Sequence, residues 1–377
     1  MAMEQVAYEA FQQEILAALW RDIDPLEEEI ERTQHIDNEQ LFPLLRGMQA
    51  FALTIPEQWG GLGLSVSQYL PIIAEFAKTQ GGIRALVHVH NSMCHALSDL
   101  GTPEQCAEVL PAAARGEKSV AFALTEPDHG TGADLGSTAV KVAGGWKING
   151  RKHLITNSDF ASHFLVFAKT AEKEVTCFLT PRSVPGFTIA PYWHTMGCVG
   201  GSHGLLTFTD CVVPDSAVLG EVGKGVDQLE EALEISRVFV AASSLGTAEY
   251  ALDLSVKRAQ ERVTFKKPIA ERQAIQRYLA EMATDVYALK LMLQDVATRW
   301  DRGERIPAQA SMTKLFGLEA VGRVTDRALL IFGGIGYTQA HKIERLYRDS
   351  RLNWLEEGTP TIQQLVIARQ VLQGYRS

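Results

Sequence analysis

Apolar residues recur through the first third of the chain at steps of three and four, the spacing that lays one face of a helix on a core. Phe11, Ile15, Leu16 and Leu19 mark the first such helix, over residues 9–20. A breaker-rich stretch, 56–64, interrupts the pattern; a more apolar helix follows over 69–77 and a third over 90–100. Between about Ser119 and Gly220 the pattern changes to short runs bounded by turn residues. Residues 118–125, 138–142, 146–148, 152–156, 164–169, 175–179, 187–190 and 205–208 read as strands at barrel-like spacing. Asn149-Gly150 reads as a type I′ hairpin turn between two of them, because that turn needs positive φ at both central positions. The remainder is helical again. Ile275, Leu279, Met282, Val286, Leu289, Leu293, Val296 and Trp300 alternate steps of four and three, the seam of a helix in an antiparallel bundle. Further helices fit 230–261, 309–331 and 360–372.

A chain of 377 residues is too long for one compact core. The pattern divides it into an α+β arrangement of three domains: helical over 1–117, β over 118–222, and a helical bundle over 223–377. The net charge of −9 argues against a nucleic-acid or anionic-membrane partner, both of which reward a basic surface. No apolar stretch is long enough to span a bilayer. Residues 1–8 lack the charged start and apolar run of a signal peptide. Cys94, Cys106, Cys177, Cys198 and Cys211 are odd in number and scattered, so reduced thiols in a cytoplasmic protein are expected. No metal-ligand spacing and no GxSxG occur, and neither a metal site nor hydrolase chemistry is expected.

Four blocks carry candidate chemistry. Residues 123–131 (ALTEPDHGT) end a strand in a Pro/Gly/Thr turn, which leaves backbone N–H groups and a hydroxyl for a ligand. Residues 154–157 (LITN) follow. Residues 261–273 (ERVTFKKPIAERQ) place Arg262, whose guanidinium fork matches phosphate oxygens, at the end of a long helix. Residues 331–337 (IFGGIGY), 344–349 (ERLYRD) and 357–359 (EGT) close the set; the glycines allow close backbone approach, but they follow a helix and do not form a Rossmann fingerprint. Each block has a bland reading: a polar turn, a strand threonine, a solvated arginine, a glutamate placed for a helix dipole.

In this order the blocks resemble the acyl-CoA dehydrogenases over nearly the whole chain. The resemblance implies an N-terminal helical domain and a C-terminal four-helix bundle sandwiching a β-barrel, with FAD between them. It implies that Thr125 bonds the flavin pyrimidine edge, with Leu124, Gly130 and Thr131 beside it toward the ribityl-phosphate. Leu154 stands where the family usually has a tryptophan over the flavin, and Thr156 matches the donor to flavin N5. Arg262 would contact the pyrophosphate of a neighbouring subunit's FAD, with Thr264, Phe265, Ile275, Leu330 and Gly334 nearby; Thr359 and Thr361 complete the cofactor set. A homotetramer is therefore implied, with an electron-transfer flavoprotein as acceptor.

The reaction so implied desaturates an acyl thioester: a base takes the α proton and a hydride leaves the β carbon. A carboxylate in an apolar slot suits the base, since desolvation raises its pKa. Glu357 matches the family's catalytic position, in an exposed loop before a helix capped by Thr359 and begun by Pro360. Some relatives place the base earlier, at the position of Ser236, which cannot serve. Glu234, Arg237, Gly358 and Arg369 would line the thioester; an ordinary ion pair between Glu234 and Arg237 is the plainer reading. Glu356 beside the base, Val199 in place of an arginine, Leu330 in place of a glutamine, Lys266 in place of a glycine and a late Asp134 depart from the pattern. They point to an altered acyl or carrier preference. An acyl-carrier-protein substrate, or a flavin oxidase or monooxygenase on the same fold, are the alternatives.

Overall fold

The computed structural model describes residues 3–130 and 134–374. Its first unit holds helices α1 (Gln5–Ala18), α2 (Glu27–Thr33), α3 (Asn38–Gly47), α4 (Val66–Phe76), α5 (Gly81–Leu100) and α6 (Pro103–Ala114). Capping boxes start two of them: Ser65 with Gln68 at α4, and Thr102 with Gln105 at α6. The apolar face read for the first helix is buried at Ile15 and Leu19, and a π-helical turn over Leu19–Ile23 carries it further.

The second unit is one sheet of β1 (Val120–Ala123), β2 (Thr138–Val142), β3 (Gly145–Thr156), β4 (His163–Ala171), β5 (Glu174–Pro181), β6 (Phe187–Pro191), β7 (His203–Pro214) and β8 (Val218–Leu219). The hydrogen-bonded path runs β6-β7-β3-β2-β4-β5-β8, with β1 parallel to β4. β2 and β4 share a single registered pair, Thr138 with Lys169. Strands on both sides of that pair bury side chains in one core of Trp146, Ile148, Phe164, Val166, Phe178 and Phe208.

The expected turn at Asn149-Gly150 is not one. Both residues lie inside β3, at a bulge where the register with β7 shifts. Asn149 spends its amide on Asp210, donating to Oδ1 at 3.1 Å and accepting from the Asp210 N–H at 2.8 Å. Gly150 is needed for closeness: at φ 153°, a Cβ there would stand 2.2 Å from Ser137 Oγ. The hairpin instead turns at Ala143-Gly144, since Val142 pairs with Gly145.

The third unit comprises α7 (Gly225–Glu261), the ribbon of β9 (Val263–Thr264) and β10 (Lys267–Pro268), and then α8 (Gln273–Asp301), α9 (Pro307–Phe332), α10 (Ile343–Asn353) and α11 (Pro360–Leu372). The seam read along α8 is the buried one. Met282 enters the bundle core, whereas Leu289, Leu293 and Val296 pack with the N-terminal helices. Asp301 at the end of α8 caps α4, accepting from the N–H groups of Val66 at 2.8 Å and Ser67 at 3.0 Å. Among the described residues no helix is long and apolar enough to cross a membrane, and all five cysteines are free and buried.

α4 and α7 cross at Gly246, where a Cβ would meet the Ala74 carbonyl oxygen at 1.8 Å. Gly246→Val must force the helices apart and should lower stability by about 1–3 kcal/mol, read as a drop in the urea midpoint. An unchanged midpoint would show that this crossing bears no load.

Candidate active site

α10 and α11 are joined by a short loop that carries Glu357. Glu357 sits at φ 53° and Gly358 at φ 92°, so a non-glycine residue is held left-handed here. Such backbone persists only when its surroundings impose it. Lys314, fully buried on α9, donates its ammonium to the Glu356 carbonyl and, at 2.6 Å, to the Gly358 carbonyl. Gln363 of α11 donates to the carbonyls of Glu357 at 3.1 Å and Gly358 at 2.9 Å. Burial pushes Lys314 down to about 8. Thr359 is the N-cap residue of α11 with Pro360 following it, but its hydroxyl makes no capping bond.

The loop turns Glu357 inward. Its side chain is 7% exposed, so the expected exposed position is corrected. Glu357 Oε1 lies 3.6 Å from Nε2 of His88, a fully buried residue of α5. Burial alone would raise the Glu357 carboxyl, as the sequence suggested. His88, Lys314 and Ser236 outweigh it and hold the carboxyl below the ordinary glutamate range. Glu356 neither points to solvent nor couples to Glu357 as a free carboxylate. Arg84, buried on α5, donates to Glu356 Oε1 at 2.8 Å and to Asn353 Oδ1 at 3.0 Å.

α7 closes this chamber. Ser236 Oγ lies 3.5 Å from Ser92 Oγ, and Ser92 Oγ 3.5 Å from His88 Nδ1. Glu234 and Arg237 do not pair with each other. Glu234 accepts from Arg305 at 2.8 and 3.0 Å and also from the Ile306 N–H, so it is committed to the start of α9. Arg237 is buried and makes no hydrogen bond or ion pair among the described residues; burial lowers its pKa. Arg369 lies at the surface, 3.3 Å from Glu230, and Thr361 is likewise exposed. Val199 turns away into the N-terminal core, its carbonyl accepting from Gln80 at 2.9 Å.

A second set of residues gathers where β1 ends beside β3. The Thr125 carbonyl accepts from the His153 N–H at 2.9 Å, and its hydroxyl has no partner among the described residues. Leu124 is buried, its carbonyl accepting from Lys152 Nζ at 3.0 Å. Lys152 also meets Glu126 at 2.7 Å, both side chains being buried. Burial drives Lys152 down to about 8. Burial also pushes Glu126 up, but Lys152, Ser137 and the Gly136 N–H hold it below its usual range. Gly130 is exposed and donates to Asp134 Oδ2 at 3.0 Å; Thr131 lies outside the described residues. Leu154, at φ 56° in a second β3 bulge, is 45% exposed. Thr156 Oγ1 is 3.2 Å from His203 Nδ1, and burial lowers His203. An unspent hydroxyl, an exposed apolar side chain and an uncharged threonine donor are groups that fit the polar edge and apolar face of a flavin.

The remaining cofactor candidates stand elsewhere. Arg262 follows α7, twenty-five residues beyond Arg237, which is about 37 Å along the helix axis. Phe265 and Lys266 form the turn between β9 and β10, both at positive φ; Phe265 is 92% exposed, with Arg272 over its ring. Thr264 is paired with Lys267 across that ribbon. Leu330 is exposed at the end of α9, and Gly334 has open space around it. Ile275 packs into the bundle core. Arg262 thus stands far along α7 from Arg237 and the Glu357 chamber.

Sequence reasoning missed Arg84, His88, Lys314 and His203. Arg84 and His88, four residues apart on one apolar helix, were the available signal: charge on a face otherwise made for burial. Lys314 carried none, because its partners are backbone carbonyls.

Lys152→Met would strand the buried Glu126 carboxylate and should cost about 3–5 kcal/mol in chemical denaturation. Adding Glu126→Leu should recover part of that loss. A double variant no better than the single would mean that the pair's charges are not coupled.

Three family profiles match the chain: acyl-CoA dehydrogenase N-terminal domain over residues 6–117, middle domain over 121–211 and C-terminal domain over 223–372. The chain is 35% identical to the 3-(aryl)acrylate reductase of Clostridium sporogenes, over 96% of this chain and 99% of that protein. It is 33% identical to the caffeyl-CoA reductase-Etf complex subunit CarC of Acetobacterium woodii, over 97% and 100%. The butyryl-CoA dehydrogenase structure from Megasphaera elsdenii superposes with a TM-score of 0.93 at 29% identity, covering 99% of each chain.

Proposed function

The chain belongs to the acyl-CoA dehydrogenase family and is an FAD-dependent oxidoreductase of acyl-CoA thioesters, and from that premise we propose that Glu357 is the base that exchanges the α proton. The observation that carries the assignment is the inward-turned carboxylate, imposed by left-handed backbone that Lys314 and Gln363 hold in place. Left-handed backbone at a buried carboxylate, held there by two side chains, supports a functional role for it.

In this reading FAD supplies the acceptor for the β hydride. Thr125 and Leu124 would hold its pyrimidine edge, Leu154 would lie against the ring, and the Thr156 hydroxyl would supply a hydrogen-bond donor to it. Glu357 stays ionised, ready to take a proton, because His88, Lys314 and Ser236 oppose the effect of burial. Gly358, beside it at φ 92°, lets the thioester pass close to the backbone. Arg237 faces the substrate, and Glu234, bound by Arg305, does not. By microscopic reversibility the same carboxyl returns the proton when the enzyme runs as a reductase, the direction named for two of its relatives.

The electron partner is assigned as an electron-transfer flavoprotein, the association named for the Acetobacterium relative. The protein is proposed to be a homotetramer in which Arg262, Thr264, Phe265, Leu330 and Gly334 complete a neighbour's FAD site. The axial separation along α7 supports this reading. Gel filtration should then show flavin only with an oligomer; a flavin-bearing monomer would refute it.

Glu357→Gln should keep flavin and ligand binding while anaerobic acyl-CoA no longer bleaches the flavin, with kcat reduced about 10³-fold or more. Near-normal bleaching would move the base elsewhere. Because the Glu357 carboxyl is depressed, kcat/KM should hold as pH falls until it drops below the ordinary glutamate value. His88→Leu removes the largest group opposing burial and should move that acid limb upward; an unmoved limb would detach His88 from the base.

A further inference from the structure

Among the described residues, four buried polar atoms around Glu357 and Phe239 lack a hydrogen-bond partner: Glu357 Oε2, His88 Nε2, Arg237 Nε and Tyr69 Oη. Folded proteins leave few such atoms, and each calls for an explanation. Glu357, His88 and Arg237 are neighbours, and Tyr69 joins them by way of Phe239. His88 Nε2 is 3.6 Å from the other Glu357 oxygen, and Glu357 is foremost among the carboxylates acting on Arg237. The rings of Tyr69 and His88 both pack on Phe239, at centroid distances of 4.5 and 6.4 Å. Contacts already made are slack, the two hydroxyl contacts through Ser92 being 3.5 Å long.

The surrounding charges show what is in surplus. Glu356 is taken by Arg84, Glu234 by Arg305, and Lys314 by two carbonyls. Among the described residues Arg237 has no acceptor, and His88 Nε2 has only the long 3.6 Å approach of Glu357 Oε1, the carboxylate that must stay free for its proton. A hydrocarbon chain laid over them would bury donors and satisfy none. A hydroxyl oxygen there can accept from His88 or Arg237 while leaving the Glu357 carboxylate to the α proton. Glu357 must touch the α carbon, and His88 Nε2 lies 3.6 Å from its carboxylate, so an oxygen carried a few bonds beyond the α carbon is within reach of His88.

Resting on the assignment of Glu357 as base, we propose that the chamber formed by Tyr69, His88, Ser92, Ser236 and Arg237 selects a short acyl thioester bearing a hydroxyl-like oxygen near C4, in preference to a plain alkyl chain of the same length. His88 and Ser92 are then specificity-determining residues for this enzyme.

The test uses two thioesters with equal heavy-atom counts, 4-hydroxybutyryl-CoA and pentanoyl-CoA, on the purified flavoprotein. Dissociation constants are measured calorimetrically on the Glu357→Gln holoprotein, and kcat/KM by anaerobic flavin bleaching on the wild type. Both should favour the hydroxy compound at least about tenfold, since a site built to bond an oxygen rejects its methyl analogue. In His88→Leu and Ser92→Ala the preference should shrink toward unity or invert, with retained flavin absorbance reporting that the variants fold. Equal or better binding and turnover of pentanoyl-CoA by the wild type would overturn this proposal while leaving the dehydrogenase reading intact. If no acyl-CoA bleaches the flavin at all, the base assignment fails and this proposal fails with it.

Discussion

One buried ammonium fixes the shape of the site. Lys314 sits in α9, the helix against which α7, α8, α10 and α11 all pack, and it reaches the loop between the last two. Burying a charge is costly unless hydrogen bonds satisfy it. Two carbonyls of the Glu356–Gly358 loop do so, and Gln363 binds carbonyls of the same loop from the other side. With their carbonyls drawn that way, the backbone at Glu357 is left-handed and its side chain is delivered inward. The position of the carboxylate thus follows from where the loop's oxygens are needed.

The rest of the electrostatics isolates that carboxylate. Each charge near it, Arg237 apart, already has a partner: Arg84 with Glu356, Arg305 with Glu234. Further out, Arg345, buried on α10, binds Glu27 at 2.9 Å, Asp349 at 3.0 Å, and the carbonyls of Lys78 and Thr79. Asp349 in turn accepts from the Cys198 N–H at the end of the sheet. The three units meet on this network, so the helix that precedes the catalytic loop is anchored to both of the others. Paired charges of this kind add little net stability compared with apolar packing, but a half-removed pair is expensive. They therefore favour one arrangement of the units over displaced ones.

What the sequence made legible were features of period and of local backbone. The α8 seam is stated by eight residues and needs nothing from elsewhere in the chain to be read. Glu357 could be found because its block is contiguous. The Asn149-Gly150 reading failed because the pair is used for tertiary contacts, Asn149 with Asp210 and Gly150 against Ser137. A two-residue turn with both φ positive does occur, at Phe265-Lys266, where no residue preference announces it. His88, Arg84 and Lys314 were illegible for a different reason. Their partners lie far along the chain, and only the fold brings Glu356 to Arg84 across 272 positions.

α7 runs unbroken for 37 residues, with Arg237 about a third of the way along and Arg262 just past its end. A straight helix couples azimuth to length, since each residue adds a rotation of about 100°. One residue inserted between those arginines would turn one end by that much relative to the other, and no loop intervenes to absorb it. Side-chain changes on the solvent face of that stretch therefore leave the geometry intact, whereas a change in its residue count does not. Length changes belong in the connections before Gly225 and after Glu261.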